Sequence, residues 1–569
     1  MRQATTRQVV TAALTLLVLG TLGAVQAGMS GASFMYDLEQ TRPPLARVEP
    51  AYDTAPVPRL ARRVVLVIVD GLRFDRSFEL PYLDDLRRRG ADLELQVPYP
   101  TWCRPSYVTL LTGVPPSASG VRTDHHSTAV MLDTLMDRAR AAGLRSASAS
   151  DHDVLPRLFL RRRSAPDSRE PIAIDIDDEA ELDAIDDPMA SSAAATPDID
   201  VASPFDDARF APWAGGFAES AGGVVDGDAE LVVLLLGNVD AAGHEYGADD
   251  PAYREAVEAA DRVLAGVLAK VDLTRDAILV VGDHGHTARG GHGGVEPEVT
   301  SVPLILAGAG IVPGATVGAA GLADVAPTVA ALLGMPAPGH GLGRTLLELL
   351  SLDDAARAHR HRADELRLTA TRAIVGAAEA RAAVDVLEHR AGRLFLVLSG
   401  AALAIMLAIV LARRDVLHLD VRLLVVTVPA FFVVYYGLIG VAGQRFSPSL
   451  LPAQGHFGSQ LVRYGLAATC VQLLANLWAL HKQPDLKHRL AAANGVAWAG
   501  LLMSVTLAGV VWAYFPPPYV AVPSPFWIVT IPAVKVAVAC TAVTFALTLA
   551  VEVIVFAARA WHRERPAAE

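Results

Sequence analysis

Cysteine is scarce in this chain: 569 residues carry three, Cys103, Cys470 and Cys540. The last two lie in apolar runs, and Cys103 stands alone in the polar half, so no disulfide framework exists there. Charge is scarce too. Only 19% of residues are charged, against about 25% in an ordinary soluble domain. Basic residues come in short runs (Arg87–Arg89, Arg161–Arg163) within a net charge of −12, which argues against nucleic acid as a partner. No N-x-S/T sequon occurs. The excess is apolar: 52% of the residues, which places part of the chain in a membrane. The length requires at least two units.

The apolar excess is concentrated. One run, Val9–Ala27, follows Arg2 and Arg7. It reads as a signal peptide, with Val25 and Ala27 suiting a peptidase site, or as an uncleaved anchor, which its length favours. Beyond Leu394 the chain is almost continuously apolar. Five spans follow: Leu394–Ala412, Leu423–Ala442, Tyr464–Leu480, Ala491–Phe515 and Ile528–Ala558. Each has about the length a spanning helix needs. Arg413, Arg414 and Arg422 follow the first, Lys482, Lys487 and Arg489 the third, and Arg559, Arg563 and Arg565 the fifth. The other loops carry only Arg445 and Arg463. The positive-inside rule sets the rich loops in the cytoplasm and the polar half outside, at a periplasmic, extracellular or lumenal face. Two charges fall inside the last span. Lys535 suits a snorkelling side chain, and Glu552 has no partner legible in the sequence.

The polar half reads as α/β. Val64–Val69, Leu231–Leu236, Ala277–Val281 and Leu304–Ala307 are buried strands, apolar enough for a mainly parallel sheet covered on both faces. Pro81–Arg89, Ala129–Ala142, Ala252–Val271 and Asp324–Leu333 are helices. The organisation is an anchor or signal peptide over 1–30, a domain over 31–352, a helical linker over 353–393 and an all-α five-span region over 394–569. Residues 165–220, rich in Ala, Ser and Asp, form an acidic insertion, whose charges read as a solvated face.

Polar residues gather where those strands end. Asp70 closes VVLVIVDG. Asp240 and His244 follow LVVLLLGN. Asp283 and His284 close ILVVGDHG, and His292 follows in GGHGG. Each alone reads as a cap, turn or solvated residue. Together, three Asp and three His at the carboxyl ends of a sheet suit divalent transition metals. Zinc is favoured, with manganese or iron as alternatives. Six ligands exceed one zinc's complement, so two ions are the natural count, in the pair that clamps a displacement at phosphorus.

After the first ligand strand stands Pro100-Thr101-Trp102-Cys103-Arg104-Pro105, followed by Leu-Leu-Thr-Gly at 110–113. With these motifs in this order, residues 62–345 resemble the alkaline phosphatase superfamily, and within it the type I phosphodiesterases/nucleotide pyrophosphatases. Asp240-Ala-Ala-Gly-His244, Asp283-His-Gly-His286 and Gly291-His-Gly293 resemble in particular the GPI-anchor ethanolamine phosphate transferase 1 family. There the motifs read D-x-x-G-H, D-H-G-M and G-S-H-G, and the multispan region is longer.

The resemblance implies an alkaline phosphatase-like sandwich. It implies one metal on Asp240, His244 and His292, and a second on Asp70, Asp283, His284 and a nucleophile at Cys103. His340, in PGHGLGR, is the substitute for His292. Relatives carry Thr or Ser at the position of Cys103, and three readings stay open. Cys103 attacks as a metal-activated thiolate; or it is converted to formylglycine, although Tyr107 stands where the C-x-P-x-R signal has Arg; or it is a bystander and Thr101 attacks. Arg104 is a candidate for holding a phosphoryl oxygen and Asp124 a candidate substrate-binding residue. His125, His126 and His286 receive no role.

The function implied is a membrane-anchored dimetal phosphodiesterase, phosphatase or phosphoethanolamine-type transferase. It would work through a covalent phospho-enzyme on a phosphoester of a lipid or glycolipid. The alternatives are a formylglycine sulfatase or phosphonate monoester hydrolase, and a membrane scaffold or transporter with a vestigial enzyme domain.

Overall fold

A computed structural model describes residues 4–39, 43–46, 48–51, 57–150, 154–159, 200–202, 216–441, 447–450, 457–517 and 519–564. The chain forms two compact units. One comprises Leu38–Ala380 and Ser447–Gln454; the other comprises Met1–Asp37, Arg381–Phe446 and Gly455–Glu569.

The first unit is built on a seven-stranded sheet: β1 (Arg63–Val69), β2 (Gly90–Gln96), β3 (Ser146–Ser150), β4 (Asp200–Ala202), β5 (Leu231–Leu236), β6 (Asp276–Gly282) and β7 (Ser301–Gly308). The spatial order is β2-β7-β6-β1-β5-β3-β4. The β6, β1, β5, β3 and β4 pairings are parallel, while β7 pairs antiparallel with both β6 and β2. Runs such as RVVLVIV form the central strands because both faces of a parallel sheet are covered. Val64, Leu66 and Ile68 pack on one face with Tyr107 and Val325. Val65, Val67 and Val69 pack on the other with Tyr253 and Val257. Each such buried side chain contributes on the order of 1.5–3 kcal/mol.

The four strands predicted lie on β1, β5, β6 and β7, and the fold is the mainly parallel sandwich expected. Three strands escaped the pattern: β2, β3 and β4. The helix predicted over Ala129–Ala142 begins only at Leu135, because Thr134 caps it, its side chain accepting the Asp137 amide. The predicted acidic insertion lies outside the described residues apart from β4 and the start of the helix Gly216–Asp226.

In the second unit, and in the helix that leads into it, five helices among the described residues are long and apolar enough to cross a membrane. They are Thr6–Gly31, Asp354–Ala412, Leu424–Val441, Leu486–Tyr514 and Pro525–Val555, and they mark a membrane protein. The predicted linker is the first part of the continuous helix Asp354–Ala412. Helix Phe457–Leu480, which holds the span predicted over Tyr464–Leu480, is not among the five. It carries Arg463, Gln472 and Asn476. Glu552 does have a partner: Arg489 lies 3.2 Å away, and both side chains are largely buried. Lys535 donates to the Ser30 carbonyl at 2.8 Å.

Candidate active site

Register brings the ligand motifs to one level. Val69 of β1 pairs with Leu236 of β5 and with Gly282 of β6. The residues that leave these strands are therefore neighbours at the carboxyl edge of the sheet. Asp70 follows β1 directly. Asp283 and His284 follow β6. Helix Asn238–Tyr246 starts two residues after β5 and presents Asp240 and His244 one turn apart. The β6–β7 connection carries His286 and His292 inward, both buried.

Gly71 makes the junction possible. Its φ of +75° is a left-handed conformation, and a Cβ there would sit 2.7 Å from Asp240 Cα. Tyr253 holds the same turn, donating to the Gly71 carbonyl at 2.6 Å and accepting the Arg73 amide at 3.2 Å.

Cys103 is the first residue of helix Cys103–Thr112. Its Sγ lies 3.2 Å from His284 Nε2, and 3.9 Å from both Asp240 Oδ2 and His292 Nε2. Around it the candidate ligand atoms form overlapping groups: Asp70, Cys103, Asp283 and His284; Cys103, Asp240, His284 and His292; and Asp240, His244, His286 and His292. Within each group the atoms lie within 4.8 Å of one another. Asp70 Oδ1 and Asp283 Oδ2 stand 3.2 and 3.4 Å from His284 Nε2. His292 Nε2 and His244 Nε2 are 2.9 Å apart.

The electrostatics of the cluster follow from burial and from the crowding of carboxylates and imidazoles. Burial, with Asp70 beside it, pushes the Asp283 carboxyl well above the usual range. Burial and four surrounding carboxylates push the Cys103 thiol well up. Burial opposes charge on His284, but Asp283, Asp70 and Asp240 outweigh it and raise the imidazole to about 10. Burial lowers His286 to about 4 and His292 well below the ordinary value, each with neighbouring imidazoles adding to the effect. The Asp240 carboxyl is held well down; burial works against this, but His244, His286 and His292 prevail. Asp70 Oδ1 and Asp283 Oδ2 are buried without a hydrogen-bond partner. Such oxygens cost free energy unless something positive meets them, and divalent ions fit this donor set.

All six predicted metal ligands and Cys103 therefore meet in one cluster. The Thr101 hydroxyl donates to the Gly294 carbonyl at 3.0 Å, while the Thr101 carbonyl lies 3.1 Å from His292 Nδ1. Asp124 lies at the start of the Cys103 helix and accepts the Arg104 amide at 2.8 Å. Burial raises its carboxyl to about 6. The Arg104 guanidinium is turned to the His126 carbonyl. His340 stays outside the ligand groups: it accepts the Asp133 amide on Nδ1 at 2.9 Å and lies 2.9 Å from the Val48 carbonyl. Two further residues of the site carry no role in the sequence motifs. His286 lies 2.7 Å from Asp240, and the Tyr107 hydroxyl donates to Asp70 Oδ2. The only signal for either was spacing: Tyr107 one helical turn beyond Cys103, and His286 where the resembling family has Met.

Residues 64–293, which hold most of this sheet and the cluster at its carboxyl edge, match the model of the type I phosphodiesterase / nucleotide pyrophosphatase family. More particular likenesses follow. The human GPI ethanolamine phosphate transferase 3 catalytic subunit is 25% identical over 327 residues, covering 52% of this chain and 26% of that protein. GPI ethanolamine phosphate transferase 1 of Emericella nidulans is 26% identical over 277 residues, covering 44% of this chain and 28% of that protein. The 2,3-bisphosphoglycerate-independent phosphoglycerate mutase of Agrobacterium fabrum is 36% identical over 127 residues, covering 21% of this chain and 24% of that protein. The chain thus spans about a quarter of the length of these relatives. Among solved structures, an alkaline phosphatase PafA variant superposes with TM-score 0.39 at 13% identity, covering 52% of this chain and 100% of that one. Murine ectonucleotide pyrophosphatase / phosphodiesterase 5 superposes with TM-score 0.36 at 13% identity, covering 48% of this chain and 96% of that one.

Proposed function

We propose that this chain is a membrane-anchored phosphoester hydrolase or phosphotransferase with two divalent metal sites. One site is Asp240, His244 and His292; the other is Asp70, Asp283, His284 and Cys103. The observation that carries this reading is the meeting of both donor sets at Cys103, with its Sγ within 3.9 Å of members of each. Imidazole and carboxylate donors suit Zn2+ first and Mn2+ second.

Two bound dications would lower the thiol pKa and neutralise charge on the phosphoryl oxygens. The chain's own residues do the rest. Cys103 Sγ attacks phosphorus in line, an S–P bond forms, and the bond to the leaving alcohol oxygen breaks. That oxygen takes a proton from solvent. Water or an acceptor alcohol then attacks the phospho-cysteine, its proton passes to solvent, and the S–P bond breaks to restore the thiolate. Water as acceptor gives a hydrolase; a lipid or glycan hydroxyl gives a transferase. The curated relatives named as GPI ethanolamine phosphate transferases support a lipid-linked phosphoester as substrate.

The competing sulfatase chemistry needs formylglycine at 103. Tyr107 counts against it: the residue where that signal has Arg is buried here on Asp70. The charged loops after the first, third and fifth C-terminal segments support a cytoplasmic side for those loops and an extracytoplasmic catalytic unit.

The test is a screen of phosphomonoester, phosphodiester and sulfate esters with the full-length protein, beside mass spectrometry of the Cys103 peptide. Phosphoester turnover with an intact thiol is expected. Sulfate-ester turnover with formylglycine at 103 would overturn the reading.

A further inference from the structure

Three carboxylates face the cluster, and each is held by a short hydrogen bond on one oxygen. Asp283 Oδ1 accepts the amides of Gly71 and His284, both at 2.9 Å, and its Oδ2 is left bare. Asp70 Oδ2 accepts the Tyr107 hydroxyl, and its Oδ1 is left bare. Asp240 Oδ1 lies 2.7 Å from His286 Nε2, and its Oδ2 faces His244 and Cys103. The bare oxygens of Asp70 and Asp283 stand 3.2 and 3.4 Å from His284 Nε2. That is close to the ~3.3 Å separating two donors on one tetrahedral ion with bonds of about 2.0–2.1 Å.

The Asp240–His286 pair is different. At 2.7 Å it is a hydrogen bond. His286 Nδ1 is buried and unpartnered, which suits the tautomer with the proton on Nε2. A bare lone pair costs less there than a bare N–H. Gly243 gives the ring its room, because a Cβ at that position would lie 2.3 Å from His286 Cδ2.

We propose that Tyr107 and His286 are positioning residues, each donating to one oxygen of a metal-ligating carboxylate so that only the other oxygen reaches an ion. Tyr107 serves the site that contains Cys103, through Asp70. His286 serves the other, through Asp240. Outer partners of this kind hold a ligand's orientation and typically account for about 10–100-fold in metal affinity. The proposal rests on the two-metal reading above.

The test is cobalt titration of the full-length, metal-stripped protein in detergent, read by visible absorption and by the thiolate-to-cobalt charge-transfer band of Cys103. Wild type is expected to take two equivalents. Tyr107→Phe is expected to weaken the equivalent that carries the charge-transfer band by roughly 10–100-fold, and His286→Met the other equivalent by a similar factor. His286→Gln, whose amide can donate to Asp240, is expected to restore most of the loss. Saturated spectra should match wild type. Wild-type affinity at both sites in both variants would overturn the proposal, as would equal weakening of both sites by either variant. Loss of one imidazole from the zinc X-ray absorption of His286→Met would make His286 a ligand and overturn its positioning role. Failure of the wild type to take two cobalt ions is a separate result, and it overturns the two-metal reading itself.

Discussion

The site is assembled by single residues whose tolerance is small, and Gly71 is the clearest. It joins Asp70 to the rest of the turn and lies against the Asp240 backbone, with φ +75° and room for no Cβ. The obstructing atoms are backbone and cannot swing aside. Gly71→Ala is expected to separate Asp70 from Asp240, to lower metal content below two per chain and to destabilise the catalytic unit by about 1–3 kcal/mol. Metal analysis and thermal unfolding check this; full metal content in the variant would contradict it. The residues that converge here were legible because strand ends advertise themselves: an apolar run followed by Asp or His. Tyr107 and His286 were not. Their partners lie 37 and 46 residues away in sequence, on other elements.

At the scale of elements, the central strands were readable because they are buried on both faces. The strands outside that centre were harder. β3 is SASAS, with no β-branched residue, and its strand state comes from pairing with β5. β2 is GADLELQ, whose outward Glu94 and Gln96 suit an antiparallel edge more than a buried strand. Asp133, just before the helix Leu135–Ala141, shows how an element junction carries a pH dependence. Burial raises its carboxyl to about 6, although Arg138 and the Gly339 amide pull it down. In the unfolded chain it titrates near ~3.9. Between about pH 4 and 6 the folded chain keeps a proton that the unfolded chain releases, so this group lowers stability as pH rises through that window. Asp133→Asn is expected to remove the slope. The melting temperature of wild type relative to the variant should fall between about pH 4 and 6.5. A constant difference would contradict the assignment.

At the scale of the whole molecule, the long apolar helices were legible from run length, and the proposed orientation rests on the loop arginines and lysines. A membrane-impermeant maleimide on intact cells tests it, in a Cys470→Ser background. Thr274→Cys, on the exposed surface of the catalytic unit, is expected to label on intact cells, and Arg413→Cys only after permeabilisation. The reverse pattern would put the catalytic unit in the cytoplasm. In the proposed reaction Cys103 and two bound metals together cleave a phosphoester. The most direct measurement is phosphodiester turnover by full-length protein, before and after chelation, with wild type beside Cys103→Ala. Turnover is expected to stop on chelation, to return with added Zn2+ or Mn2+, and to fall by on the order of 10³-fold or more in the variant. Turnover that survives chelation, or a Cys103→Ala protein as active as wild type, would contradict it.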